Sequence, residues 1–374
     1  MKDLKICLVF CFCAIHVCAQ DFSASTPSED TLKRPVYLLV KADNFLKNNE
    51  YFSPLSEGWT GIGFFVQPQI EYKPDQKTTI DAGFHLLMYD GGSFVSEFLP
   101  LFSISYEAKP GFLLRMGHLN NDKLHYLSES LYRRDWFYQH PVEYGLQSIV
   151  DKAHFHSDTW LEWRRFIQKG DPFQEKIIAG SSSRMEQNLG KHFSVHVPFQ
   201  LLLTHKGGQI DTSPDGVLTV FNGMAGIGFS FKPYPLRTFN FGVDAQYLYY
   251  QALSMPPPGQ INALPFQKGY AWNAGINAST KWFDLKMAYQ QGYQFIAPYG
   301  EFLLESISEL DSSFTMPKRK LIIGRIELSK SLSHYLQVKT NFEAYYDLPS
   351  KRMDFTYGVN LIVDDRFFLF TGHR

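Results

Sequence analysis

The side chains with the most chemical potential sit in the first half of the chain. His154 and His156 are spaced to put two imidazoles on one face of an extended segment, as a metal pair requires, but no third ligand is identifiable beside them. His156-Ser157-Asp158 supplies the residue types of a nucleophilic triad. Adjacent residues of a strand point to opposite faces, however, so nucleophile and base cannot meet there. From His118 to Pro141 the chain gathers His125, Tyr126, Tyr132, Arg133, Arg134, Trp136, Phe137, Tyr138 and His140. Such rings and bases can stack on sugars and meet lipid phosphates, or they can simply pack on one another. No phosphate-cradling spacing is present: Gly61-Ile62-Gly63 and Gly226-Ile227-Gly228 lie inside alternating segments, where glycine permits curvature. Taken alone, these residues predict a protein that is not an enzyme and that uses neither metal nor cofactor.

The elements that must position them are strands. Tyr270, Trp272, Ala274, Ile276, Ala278 and Trp282 alternate with Asn273, Gly275, Asn277, Ser279 and Lys281. The same division recurs in Phe239 to Tyr247, Leu336 to Asp347 and Met353 to Val363, and Phe64, Val66, Ile70 and Tyr72 oppose Gln67, Gln69 and Glu71. Period two with one greasy and one wet face is the mark of a strand between two environments. These segments run to about ten to fourteen residues, roughly twice an ordinary strand and long enough to cross a bilayer at a tilt. Short connections such as Lys109-Pro110-Gly111 and Trp282-Phe283-Asp284 alternate with long ones, among them Asn44 to Gly58, His118 to Pro141 and Ala297 to Arg319. That asymmetry predicts an all-β fold, a closed antiparallel transmembrane β-barrel of about sixteen strands (14–18), with short periplasmic turns and long extracellular loops. One feature resists the count: Arg366 to Phe370, after Asp364-Asp365, reads as a seventeenth segment where an even number is expected, so either Asp364-Asp365 is a bulge inside the last strand or an earlier strand, around Val36 to Ala42 or Leu113 to Gly117, is wrongly assigned.

Composition agrees with a barrel and excludes other classes. With 36 Lys and Arg against 37 Asp and Glu, the net charge of −1 carries no footprint for nucleic acid. An aromatic fraction of 16% is far above that of a disordered chain. All four cysteines, Cys7, Cys11, Cys13 and Cys18, lie inside residues 1–19, where Lys2 and Lys5, an apolar core from Ile6 to Val17 and Val17-Cys18-Ala19 fit a cleaved signal peptide. The expected organisation is signal peptide 1–19, N-terminal segment 20–32 and barrel 33–371. No later apolar run approaches the eighteen or so residues of a spanning helix.

With this alternation, loop asymmetry and Ala19-Gln20 processing site, the chain resembles outer-membrane β-barrels of the porin type, in particular Bacteroidota-type barrels. The resemblance rests on architecture over residues 33–371 and implies residence in the outer membrane of a Gram-negative bacterium, beside outer-membrane lipid and lipopolysaccharide. It departs at the C-terminus, which ends Phe370-Thr371-Gly372-His373-Arg374 rather than in an aromatic residue. Polar faces would then line a lumen, with Glu71, Arg115, Glu162, Arg164, Lys176, Arg184, Glu186 and Asp244 as candidates to meet solute. Both signs are present, so strong ion selection is not expected. Arg115, Arg164 and Arg184 facing Glu162 and Glu186 would form a transverse field. Leu303, Ile307 and Leu310 have helical spacing, so loop Ala297 to Arg319 either folds inward as a constriction or caps the rim. Aromatics near strand ends, including Trp59, Tyr72, Tyr89, Tyr106, Trp282, Tyr293 and Tyr335, are read as interfacial girdles, which makes the aromatic fraction a property of walls and belts rather than of a dry core. The function expected is passive diffusion of small polar solutes. The alternative is a non-conducting barrel acting as a subunit of a larger outer-membrane assembly or secretion complex, with other outer-membrane proteins as partners.

Overall fold

The computed structural model describes residues 34–372 apart from 93–94, 122, 209, 234–238 and 312. The expected signal peptide and the segment 20–32 lie outside the described residues. Sixteen strands run up and down: β1 (Arg34–Glu50), β2 (Thr60–Tyr72), β3 (Thr78–Tyr89), β4 (Glu97–Lys109), β5 (Phe112–His118), β6 (Tyr144–Lys152), β7 (Phe155–Arg165) and β8 (Lys176–Asn188) form the first half. The second half is β9 (Phe193–Lys206), β10 (Leu218–Phe231), β11 (Asn240–Ser254), β12 (Lys268–Ser279), β13 (Phe283–Tyr293), β14 (Lys318–Ser331), β15 (Leu336–Asp347) and β16 (Arg352–Gly372). Each pairs antiparallel with its sequence neighbours, and β16 returns to β1 to close the barrel. Closure gives the strands' backbone donors partners without water, which a hydrocarbon surround demands. No helix among the described residues is long and apolar enough to cross a membrane.

Alternation places the faces as the sequence suggests. Tyr270, Trp272 and Ile276 stand exposed on the outer wall of β12, while Asn273 between them is buried inside and donates to Gln290 of β13 at 3.3 Å. The apparent seventeenth segment is part of β16. Asp364 and Asp365 pair without interruption with Lys41 and Val40. The irregularity lies further on, where Tyr37 pairs with Phe368 and Val36 with Phe370, so that Leu369 is the extra residue of a bulge.

The outer half of the barrel is filled. Long connections all emerge at one rim, the extracellular one by the usual asymmetry of such barrels. Two of them, 119–143 and 294–317, fold inward. Leu131 and Phe295, Ile296 and Ala297 bury against Val220, Met224, Leu248, Tyr250 and Ala271 of β10–β12. Leu119, Tyr132 and Trp136 bury against Trp160, Ile178 and Leu202 of β7–β9, Leu303 and Leu304 against β13–β15, and Tyr138 against Phe45, Phe65 and Leu87 of β1–β3. A dry core therefore exists, inside the wall, which corrects the expectation that the aromatic load belongs to wall and belts alone. Trp59 and Tyr89 belong to it: both pack on the Tyr138 cluster rather than on the membrane girdle. The helix expected from Leu303, Ile307 and Leu310 does not form. The loop makes a single tight turn at Phe302–Leu304, then an Ile307–Thr315 bridge, and Leu310 is exposed.

Candidate functional site

Loop 119–143 enters the lumen on a turn of unusual handedness. Leu124, His125 and Tyr126 all have positive φ, of 48°, 53° and 57°. For residues with a side chain that conformation costs roughly 1–2 kcal/mol each. What holds it is His125. The imidazole is fully enclosed, with Nδ1 2.8 Å from the Asp158 carboxylate of β7 and Nε2 2.7 Å from that of Glu143. Its ring lies flat on the Trp160 indole, 3.7 Å between centroids and 6° between planes. Behind Trp160 stands Gly180 of β8, where an added Cβ would come within 2.3 Å of the indole. The glycine is thus required for the stack. Tyr132 and Gln147 complete the carboxylates' partners, donating to Glu143 at 2.6 Å and to Asp158 at 2.9 Å.

Burial alone would depress His125, but the hydrogen bonds to Asp158 and Glu143 and their charges outweigh it and hold the group up at about 9. A folded value raised above the ordinary 6.5 makes the contribution complete below about 6.5 and lost as pH rises through about 9. The loop should therefore loosen between about pH 8 and 10. Protease cleavage within 119–143, followed in intact barrels across that window, is expected to accelerate with a midpoint near 9, and a rate flat with pH would contradict the clamp.

The second cluster lies where the loop reaches the extracellular mouth. Trp136 opens the one-turn helix α1 (Trp136–Gln139) and its indole N–H donates to the Tyr299 carbonyl at 3.0 Å. Three basic groups converge on its ring: the guanidinium carbons of Arg133 and Arg164 lie 4.2 and 4.7 Å from the centroid, and the His140 ring 4.8 Å. Arg164 also meets Glu162 at 3.0 Å, yet its Nη2 is buried with no hydrogen-bond partner among the described residues. His140 has an exposed edge. Desolvation, then the positive charges of Arg164, Arg133 and Lys176, push its imidazole down to about 4, so it stands neutral at physiological pH. An unprotonated base beside under-satisfied guanidinium donors can accept a proton and steady a developing anion.

The residues singled out as lumen candidates all lie on inward positions of the barrel, but apart. Glu162 and Arg164 form the mouth pair. Lys176 begins β8 at the same rim, opposite Lys206 of β9. Arg115 lies on β5, bound to Asp81 at 3.2 Å and Ser103 at 2.8 Å. Arg184 pairs in register with His156, eight residues below Arg164, or roughly 26 Å along the strand. It meets Glu186 at 3.1 Å. The expected transverse Arg115, Arg164 and Arg184 field is therefore not assembled, because the three lie at different heights. Glu71 meets Arg366 and Lys73 near the periplasmic end, and Asp244 accepts from Asn277 at 3.5 Å. A cavity of about 1400 Å³ runs from beneath loop 119–143 to the β14–β15 turn, lined by Arg184, His196, Asp244, Lys286 and Lys339 among others. His154 and His156 do not form a metal pair: His154 meets the Glu186 carbonyl at 3.1 Å, while His156 packs against Tyr126. Ser157 points outward, to Ser183, as the strand parity requires. Sequence reasoning missed His125, His140 and Trp136 as members of two distinct clusters. The available signal was Asp158-x-Trp160-x-Glu162, two carboxylates flanking an indole on one inward face.

Comparison with known proteins places the fold and the family. The barrel is similar to OprD from Pseudomonas aeruginosa, at 10% identity over 91% of this chain and 96% of that one, with a TM-score of 0.50. A loop L8 deletion mutant of OmpT from Vibrio cholerae has 9% identity over 90% and 99%, and OccAB3 from Acinetobacter baumannii 9% over 89% and 99%, each with a TM-score of 0.50. At these identities the likeness is one of fold, that of outer-membrane barrels. No curated protein sequence matches the chain. A family model described as Lipid A 3'-O-deacylase-type matches residues 26–372. That is an enzyme family, and the match overturns the expectation of a non-enzyme, which rested on finding no catalytic spacing within single strands. The match spans nearly the whole chain, and the protein accordingly belongs to the Lipid A 3'-O-deacylase-type family of the outer membrane.

Proposed function

We propose that the chain is an ester hydrolase that removes an O-linked acyl chain from lipid A, working at the extracellular mouth rather than passing solutes through the barrel. The convergence of Arg133, Arg164 and His140 on Trp136 is the observation that carries this reading. Neutral His140 takes a proton from water as the water oxygen bonds to the ester carbonyl carbon. The carbonyl oxygen gains negative charge, and Arg164, with Nη2 unspent, and Arg133 stabilise it. The C–O bond to the sugar then breaks, the imidazolium returns its proton to the departing sugar oxygen, and a free fatty acid and a sugar hydroxyl remain. Arg164, Arg133 and Lys176 also give the mouth the positive charge that a phosphorylated glycolipid needs.

The test is the mass of lipid A extracted from outer membranes that carry the protein. The wild-type chain is expected to remove one acyl chain, and His140→Ala to slow that loss by about 100-fold or more, with folding checked by heat-dependent gel migration. Unchanged lipid A with the wild type would overturn the reading. Passive diffusion of small polar solutes is the second reading, favoured by the polar cavity of about 1400 Å³ below the loop. Against it stands the packed outer half, which predicts no steady current from the wild-type barrel in a planar bilayer.

A further inference from the structure

The outer wall carries a depression beneath two lysines. Outward-facing Val243 of β11, Ala274 and Ile276 of β12, Met287 and Tyr289 of β13 and Ile322 of β14 surround about 470 Å³ of apolar space. Its floor is shallow because Ala274, in register with Tyr289 and so with Ile322, is the small residue in a row of large ones. The volume lies within the roughly 300–1,000 Å³ of ligand sites. Moving up the same face of β14 toward the extracellular rim, Lys320 comes two residues above Ile322 and Lys318 four, or roughly 7 and 13 Å. Both are exposed, and neither has an ion-pair partner among the described residues. Beside them on β13 stand Gln291 and Tyr293, and the Tyr289 hydroxyl rises out of the depression to donate to Gln291 at 3.2 Å. The outward positions of β12–β14 at this height, Tyr270, Trp272, Tyr293, Gln291, Lys318 and Lys320, include no carboxylate, and Leu348 follows Lys320 on the β15 side.

We propose that this wall holds a phosphorylated glycolipid of the lipid A class from the outer leaflet, with one acyl chain in the depression and phosphate on Lys318 and Lys320. The order of chemistry along the wall matches the order in such a lipid: apolar space at acyl depth, then hydroxyl and amide groups, then two ammonium groups about 7 Å apart. A single long side chain snorkelling to the interface would place one charge there. Two on alternate residues of one face, with no acid beside them, leave a positive site that a multiply phosphorylated headgroup neutralises. The site is separate from the mouth, since Trp136 packs on β7–β9 whereas the depression spans β11–β14. The inference therefore goes beyond the hydrolytic reading and stands even if that reading fails.

The experiment uses the full barrel refolded in detergent, carrying His140→Ala so that lipid is not consumed, and reads retained lipid by native mass spectrometry. The probes are bis-phosphorylated lipid A, the same glycolipid without phosphates, and phosphatidylglycerol. One lipid A per barrel is expected on this wall in addition to any copy held at the mouth, and the retention scored is that of the wall-bound copy, counted as the difference in lipids per barrel from a barrel with Ala274→Phe. Retention of the wall-bound copy should fall at least tenfold on removing the phosphates, in the Lys318→Gln, Lys320→Gln double variant, and in Ala274→Phe, which fills the depression. Ala278→Phe, on the same face but outside the depression, should leave retention unchanged. The lysine pair is exposed and bears no packing load, so its variant reports even if Ala274→Phe does not fold. Equal retention by the double variant, or equal retention of the phosphate-free glycolipid or of phosphatidylglycerol, overturns the proposal. Because the readout is binding by a His140→Ala barrel, its failure is distinct from a failure to hydrolyse.

Discussion

His125→Leu is expected to turn a closed barrel into a conducting one. The substitution removes the cation that bridges Asp158 and Glu143 while leaving both carboxylates enclosed, and breaking a buried pair in that way costs about 3–5 kcal/mol. The turn at Leu124–Tyr126 loses its restraint at the same time, so its left-handed residues can relax only by withdrawing the loop. Withdrawal uncovers Trp160 and connects the cavity below to the mouth. Planar bilayers should then show steady current for His125→Leu and none for the wild type, and the variant's loop should be cut by protease at neutral pH. Equal conductance of the two proteins would falsify the clamp as the loop's anchor. A triple change that also makes Asp158→Asn and Glu143→Gln should restore part of the closure, because neutral amides carry no uncompensated charge.

The second large effect belongs to Arg325 of β14. Its guanidinium meets the Glu343 carboxylate twice at 2.8 Å, and it also pairs with Glu129 of the inward loop. Glu343 is enclosed, with Arg134 3.5 Å away as a further cation, and the Tyr345 hydroxyl lies 2.8 Å from Glu343 and 3.0 Å from Glu129, with one proton to share between them. Arg325→Met should destabilise the barrel by about 3–5 kcal/mol, since it takes the shared guanidinium from the enclosed Glu343 and the partly buried Glu129. The measurement is the midpoint of unfolding in urea, read by heat-dependent gel migration. Adding Glu343→Gln to Arg325→Met is expected to recover a substantial part of the loss. A single variant as stable as the wild type would show that solvent reaches the pair.

Much of the wall was legible in the sequence because its rule is local. Alternation in Tyr270 to Trp282 or Met353 to Val363 needs only neighbouring residues to be read, and the sixteen strands and the loop asymmetry follow from it. The segment after Asp364-Asp365 resisted the count because a charged pair resembles a turn; it continues β16, with the bulge at Leu369 rather than at the acid pair. The destination of loop 119–143 was not legible. His125 finds Asp158 and Glu143 at separations of 33 and 18 residues, and that meeting depends on the height of every intervening strand. Trp136 could be counted among aromatic residues of a long loop, but Arg164 reaches it only because β7 ends at the same rim. Leu303, Ile307 and Leu310 misled because helical spacing over so short a part of loop 294–317 costs little to ignore once Leu303 and Leu304 have a barrel interior to fill.

The seam between the first and last strands carries a temporal meaning. Asn48 of β1 donates to the Tyr357 hydroxyl of β16 across 309 residues of chain. Contacts so distant in sequence form late and slowly, because the loss of chain freedom precedes any reward. The inward loops, by contrast, join neighbouring strands and pack on the inner wall through the open mouth. Closing the seam is thus the slow step, whereas the inward loops hang from the extracellular rim and can enter or leave through the mouth after the wall is complete.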